Sequence, residues 1–257
     1  MRANPKIAVV TPYFKESPIM LERCITSVKN QEYANCDHFL IGDGVHNKFI
    51  DQFHDIRHFS LHKNFANNGN TPRGFGCMMG ITEAYDAIFL LDADNWFESD
   101  HVYECIRLVN QYSLAGKKID YVYSDRHFRR PDGSLLNWRG ENNHIDTSCF
   151  CILPGAFFEL SRWGMMPDFL SPICDKIFFN ILKTNKKIGY ATRKKTVNFT
   201  MLYGKIYEKL GEQIPDEATH LVDWESIVSD LKNLSTQDGV YLNQSIGVPP
   251  NTKINIS

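Results

Sequence analysis

No stretch of the sequence approaches the ~20 consecutive apolar residues that a membrane-spanning helix requires. No Cys-x-x-Cys pair occurs among its seven cysteines, and their odd number (24, 36, 77, 105, 149, 151 and 174) argues against a zinc ribbon and against a closed disulfide framework. Buried thiols are the expectation. Excess charge is lacking as well. Twenty-eight Lys and Arg face 30 Asp and Glu, for a net charge of −2, so nothing favours a broad basic surface, and nucleic acid is excluded as the expected partner. The opening MRANPKIAVVTPYF has too short an apolar run for a secretory signal and no small-residue cleavage site, which points to a cytoplasmic protein. A Gly-x-x-x-x-Gly-Lys-Ser/Thr phosphate loop is missing. GFGCMMG (74–80) has its third glycine one residue late for a dinucleotide fingerprint and no strand running into it. Those glycines are expected to allow close helix packing.

What is present is an alternation of strand-like and helix-like segments across 257 residues, 43% of them hydrophobic, enough to bury a sizeable core. Strands are expected at 6–12, 38–44, 56–62, 86–92 and 119–125, with helices at 17–31, around 74–85 and from Ser99 to Ala115. Nearly continuous apolar strands separated by helices imply an α/β fold with a mostly parallel sheet covered on both faces. Further on, RRPDGSLLNW (129–138) reads as a hairpin, 147–153 as a strand, 155–163 and 173–185 as helices, and 188–199 as short strands. Residues 204–211 and 221–234 have helical patterning, and the polar tail from Gln237 is expected to be disordered.

Ligands of such sheets bind at the carboxyl ends of strands. Polar residues fall there three times: Thr11 to Tyr13, Asp43, and Asp92 with Asp94 in FLLDADNW. Two carboxylates at a strand end offer hard oxygen ligands to Mg²⁺ or Mn²⁺. The competing reading is that they solvate the strand end or cap the next helix, although Ser99 before Asp100 is the better cap. A calcium loop is excluded because Trp96 stands where an oxygen ligand is needed.

In their order and spacing, VVTPYFKES, LIGDGVHN, NTPRGFG, FLLDADNW and PICDKIFF resemble the inverting nucleotide-sugar glycosyltransferases of the GT-A fold, in the family 2 group, over roughly residues 5–200. The resemblance implies a Rossmann-like, mostly parallel sheet with a smaller mixed acceptor-side sheet. It divides the chain into a nucleotide-sugar-binding half (1–125), an acceptor-binding half (126–210) and a C-terminal helical segment with a polar tail (211–257). It implies a metal-diphosphate site on Asp92 and Asp94, holding Mn²⁺ or Mg²⁺, with Asp92 and Ala93 also beside the donor. By the same resemblance Thr11, Pro12 and Tyr13 form the donor-binding turn, Asp43 accepts from a uracil imide, Arg73 lies near base and phosphates, and Asp175 is the general base. The implied activity is transfer of a hexosyl or N-acetylhexosaminyl group from a UDP-sugar to a carbohydrate or lipid-linked glycan, in surface glycan or polysaccharide synthesis. Peripheral attachment to a membrane bearing that acceptor is the variant of the cytoplasmic expectation.

The chain departs from the family's pattern at Gly42, where an acid often stands, and at Cys174, which replaces an acid before the base. It has no histidine between His144 and His220, which leaves water or His220 as the third metal ligand. Each residue also has a plainer reading: Asp43 as a turn stabiliser, Tyr13 as a core aromatic, Arg73 as a solvated loop cation and Asp175 as a helix N-terminal acid. Arg126, Arg129 and Arg130 read as a solvated hairpin or as contacts to an anionic acceptor or donor phosphates. Two other classes stay open. A sugar nucleotidyltransferase would need a glycine-rich triphosphate loop, and TPYFKES has no glycine; a non-catalytic carbohydrate-binding relative would fit the missing acid at 174.

Overall fold

The computed structural model describes residues 4–140 and 144–247. In chain order the elements are β1 (Ile7–Tyr13), α1 (Pro18–Lys29), β2 (Cys36–Gly42), β3 (Ile56–Ser60), α2 (Asn70–Thr82), β4 (Ala87–Leu90), β5 (Trp96–Phe97), α3 (His101–Leu114), β6 (Tyr121–Arg129), β7 (Phe150–Ile152), α4 (Phe157–Leu160), α5 (Cys174–Thr184), β8 (Gly189–Thr200), α6 (Gly204–Leu210), α7 (Trp224–Asn233) and α8 (Thr236–Ser245). The strands form one sheet in the order β3-β2-β1-β4-β7-β6-β8-β5.

β1 is buried along its whole length, as its run IAVVTPY requires of a central strand. It pairs in parallel with β2 on one side and β4 on the other. Neighbouring side chains on a strand point to opposite faces. Thr11 meets Cys24 of α1, whereas Val10 lies against Gly76 of α2, so the two helices cover opposite faces. A Cβ at Gly76 would come 2.6 Å from the Val10 side chain, which confirms the packing role expected for GFGCMMG. Because β2 and β3 lie to one side of β1 and β4 to the other, the direction of winding reverses between β1 and β4. Crevices for ligands open at such a point.

Beyond β4 the sheet becomes mixed. β7 runs antiparallel to β4 and β6, and β8 is parallel to β6 and antiparallel to β5. The strands of the second half, expected as a smaller mixed sheet, thus continue the same sheet. Where short strands were expected at 188–199, β8 is one strand of twelve residues with irregular pairing near Asp125.

Other expectations shift for identifiable reasons. The helix expected at 155–163 breaks into α4 and flanking 3-10 turns, since Pro154 and Gly155 interrupt its start and Gly164 and Pro167 its end. Helix α3 begins at His101 with Asp100 at the N-cap, and Ser99 instead donates to Glu32 at 2.9 Å. The hairpin at 129–138 is a tight turn closed by a single bridge between Arg129 and Leu135. The tail expected to be disordered from Gln237 forms α8, capped by Ser235, and buries Leu242 and Ile246 in the core; residues 248–257 lie outside the described residues. All seven cysteines are free, five of them buried. Among the described residues no helix is long and apolar enough to cross a membrane.

Candidate active site

A cleft of about 480 Å³ opens at the carboxyl ends of β1, β2 and β4, lined among others by Pro12, Tyr13, Asp43, Arg73, Asp92, Ala93, Asp94 and Asp175. Eight of the nine residues singled out from the sequence therefore meet in one place. The ninth, Thr11, does not. Its side chain is buried between the sheet and α1, 2.8 Å from His38 Nε2 and against Cys24; it shares a face with Tyr13 but lies two residues short of the strand end, inside the core rather than at the cleft.

Asp43 is buried, with one oxygen accepting from the Phe65 amide at 2.9 Å and the other from Ala66 at 3.2 Å. It ties the end of β2 to the loop after β3. Gly42, where the family pattern has an acid, is held by close approach: a Cβ there would lie 2.1 Å from the Val45 carbonyl oxygen and 2.7 Å from the Tyr13 hydroxyl. Tyr13 is a buried aromatic whose hydroxyl reaches out of the core cluster to Val45, Asn47 and His58.

Arg73 is neither in a loop nor solvated. It sits in the first turn of α2, 2% exposed, over the Trp163 ring, and donates to Asp92 Oδ1 at 2.6 Å and to Asn70 at 2.9 Å. Asp92 is thereby neutralised by an internal cation. Asp94 is not: burial first, then the neighbouring Asp92, Glu16 and Asp146, push its pKa well above the ordinary carboxylate range. Carboxylates crowded in this way lack positive charge, and a divalent cation between Asp92 and Asp94 would supply it. No third His, Cys, Asp or Glu among the described residues joins the pair at ligand distance; His220 lines the cleft but is not grouped with them.

Two residues that were not among the sequence candidates shape the far wall, Asp146 within it and His144 behind Asp175. Asp146 lines the cleft, and its pKa is raised to about 6 by burial and by Asp92 and Asp175, against the opposing charges of Arg126 and His144. His144 Nε2 lies 2.5 Å from Asp175 Oδ2. Arg126 donates to His144 Nδ1 at 3.3 Å and to its carbonyl at 3.0 Å. An Nδ1 that accepts leaves Nε2 as the donor, so the ring gives its proton to Asp175. Burial alone would raise Asp175, but the His144 hydrogen bond, the Lys176 amide and Arg126 outweigh it and hold the carboxyl below its ordinary value. The arginines of the hairpin are spent internally: Arg126 on His144, Arg129 on Asn198 and Glu98, Arg130 on Glu212. Arg126 is buried, Arg129 and Arg130 stay partly exposed, and none of the three lines the cleft.

The direction of β7 was the missing signal. Read as antiparallel to β4, it brings its N-terminal end, with Asp146 and Ser148, beside the C-terminal end of β4, and Ser148 Oγ indeed accepts from the Asp92 amide at 3.2 Å.

A mixed α/β sheet with an acidic cleft at its switch point is the GT-A arrangement, and three solved structures share the fold. The Staphylococcus aureus TarS 1–349 structure matches at TM-score 0.58 and 12% identity over 94% of this chain and 70% of that one. The same protein in complex with UDP-GlcNAc matches at 0.55 and 10%, over 94% and 71%. The mannosyltransferase PcManGT from Pyrobaculum calidifontis, in complex with GDP-Man and Mn²⁺, matches at 0.53 and 10%, over 78% and 58%. No curated protein matches the sequence. The profile of Glycosyl transferase family 2 matches residues 8–160, more than half of the chain. The chain belongs to that family and is a glycosyltransferase.

Proposed function

We propose that this glycosyltransferase is metal-dependent and inverting, and moves a sugar from a UDP-sugar to a hydroxyl of a carbohydrate or lipid-linked glycan in surface glycan or polysaccharide synthesis. The observation that carries this reading is the meeting of Asp43, Asp92, Asp94 and Asp175 in one cleft at the switch point of the sheet. Structural relatives described with UDP-GlcNAc and with GDP-Man and Mn²⁺ support a nucleotide-sugar donor and a divalent metal. Uridine is favoured because Asp43, at the donor end, keeps acceptor capacity beyond its two amide bonds for an imide N–H.

In this reading residues 1–125 hold the donor, 126–210 the acceptor, and 211–257 add a flank that contributes His220 to the cleft. Asp92 and Asp94 hold Mn²⁺ or Mg²⁺, which when bound neutralises charge on the departing diphosphate. Arg73 holds Asp92 in place. Asp175, ionised at neutral pH, takes the proton of the acceptor hydroxyl as that oxygen attacks the anomeric carbon from the side opposite the leaving group. A carboxyl with a depressed pKa is a weak base, so the proton moves late, after bond formation has acidified the hydroxyl.

Calorimetry with UDP and GDP, with and without Mn²⁺, on the parent and on Asp94→Asn tests the donor side. UDP is expected to bind more tightly than GDP, more tightly with metal, and more weakly to the variant. Tighter GDP binding would overturn the uridine assignment, and undiminished Mn²⁺-UDP binding by the variant would remove the metal from Asp94. Pyrophosphate release from UTP and a sugar 1-phosphate would mark a nucleotidyltransferase instead, and donor binding with no turnover a non-catalytic relative.

A further inference from the structure

Behind the donor-side wall of the cleft, a second cluster is unused by glycosyl transfer. His46 Nε2 lies 2.8 Å from Asp51 Oδ2, and His58 Nδ1 lies 2.8 Å from Asp51 Oδ1. All three ligand-type atoms fall within 4.8 Å of one another. The two imidazoles stack with centroids 4.6 Å apart. The His58 side chain is only 8% exposed, while His46 and Asp51 are 53% and 47% exposed, so solvent reaches the cluster from one side.

The second nitrogen of each ring is held from behind. His58 Nε2 lies 2.6 Å from the Tyr13 hydroxyl, which is itself tied to the Val45 carbonyl and the Asn47 amide, and His46 Nδ1 lies 3.3 Å from Ser60 Oγ. With those nitrogens occupied, His58 Nδ1 and His46 Nε2 converge on Asp51, one on each carboxylate oxygen. One divalent ion placed between them would take both nitrogens and the carboxylate together.

We propose that His46, Asp51 and His58 bind a divalent transition-metal ion, Zn²⁺ foremost, in an open three-ligand site whose ring nitrogens are held from behind by Tyr13 and Ser60. Two imidazoles and one carboxylate suit Zn²⁺ better than Mg²⁺ or Mn²⁺, which makes this site chemically distinct from the all-oxygen pair Asp92 and Asp94. Metal–ligand bonds of about 2.0–2.1 Å place tetrahedral donor atoms about 3.3 Å apart, so the Asp51 contacts need open by only about half an ångström. His46 and Asp51, at the surface, can make that adjustment. Partners on the second ring nitrogen are what orients a ligating histidine, and here one such partner is the tyrosine bordering the cleft. An ion at this site fixes His58, and through it Tyr13 and the Val45–Asn47 loop. None of the three ligands lines the cleft, so the site stands or falls independently of the donor assignment.

The test is titration of tag-free, metal-stripped full-length protein with Co²⁺, whose visible d–d absorption reports low-coordinate binding, followed by displacement with Zn²⁺. The expected result is a band that saturates at a single equivalent and is bleached by Zn²⁺. It should persist in the Asp92→Asn/Asp94→Asn double variant and weaken at least about tenfold in His46→Ala and in Asp51→Asn. Circular dichroism on each variant establishes that it is folded; His46 is exposed enough to be replaced without opening the core. Absence of the band in the parent would overturn the proposal. So would its survival in both folded triad variants, or its loss in the folded Asp92/Asp94 variant alone.

Discussion

Asp175 was singled out because PICDKIFF matches the family's order of motifs, and the structure brings it to the cleft in the first turn of α5; its partner His144 was not legible, since nothing local ties residue 144 to residue 175. The pair separates two roles. If Asp175 is the base, Asp175→Asn should lower transfer by about 10²–10⁴-fold, since the amide keeps the volume but cannot accept a proton. Donor affinity, measured on the same preparation, should stay near the parent's. Near-parental turnover in a folded variant would remove the base role, and joint loss of turnover and affinity would indicate a structural one. His144 acts through Asp175. Its hydrogen bond helps depress that carboxyl, so His144→Ala should raise the Asp175 pKa. Activity needs the ionised form, and the acid limb of the kcat/KM profile is expected to move to higher pH. An unmoved limb with lower kcat would mean that His144 serves packing only.

At the scale of elements, the sequence showed most where the pattern was most regular. β1, β2 and α1 were legible in continuous apolar runs and a helical pattern over 17–31; the structure adds that α1 opens with Ser17 as its cap and Pro18 at its first position. What escaped was strand direction, which an apolar run of three residues such as β7 does not encode, and with it Asp146. Arg73 escaped because Asn70, Thr71 and Pro72 look like loop yet form the first turn of α2. That helix depends on a contact the sequence did suggest. Gly76→Ala would drive a methyl into Val10 and Ile41, and overpacking of this kind costs about 1–3 kcal/mol. For a chain of this size each kcal/mol lowers Tm by about 2–4 °C. A melt showing no loss would mean that α2 can slide on the sheet at little cost.

The whole molecule is built around a concentration of like charge, and its stability should record that. Asp146 is raised from 3.8 to about 6. A carboxyl raised on folding contributes stability that is complete below pH 3.8 and is lost as pH rises through 6. Asp146→Asn removes that loss. Relative to the parent, its Tm should therefore be more favourable at pH 7 than at pH 4, and an equal difference at both would show that Asp146 carries no such penalty. The sheet order bears on how the molecule is made. β8 lies between β6 and β5, yet among the strands of the described residues it is the last to leave the ribosome. Until it emerges, β6 keeps one backbone edge unpaired and β5 has no neighbour, so the nascent chain cannot finish its sheet in the order of synthesis. A product terminated before Gly189 would carry the open Tyr121–Arg129 edge as a template for pairing with other chains, and its expected fate is aggregation rather than a soluble fragment.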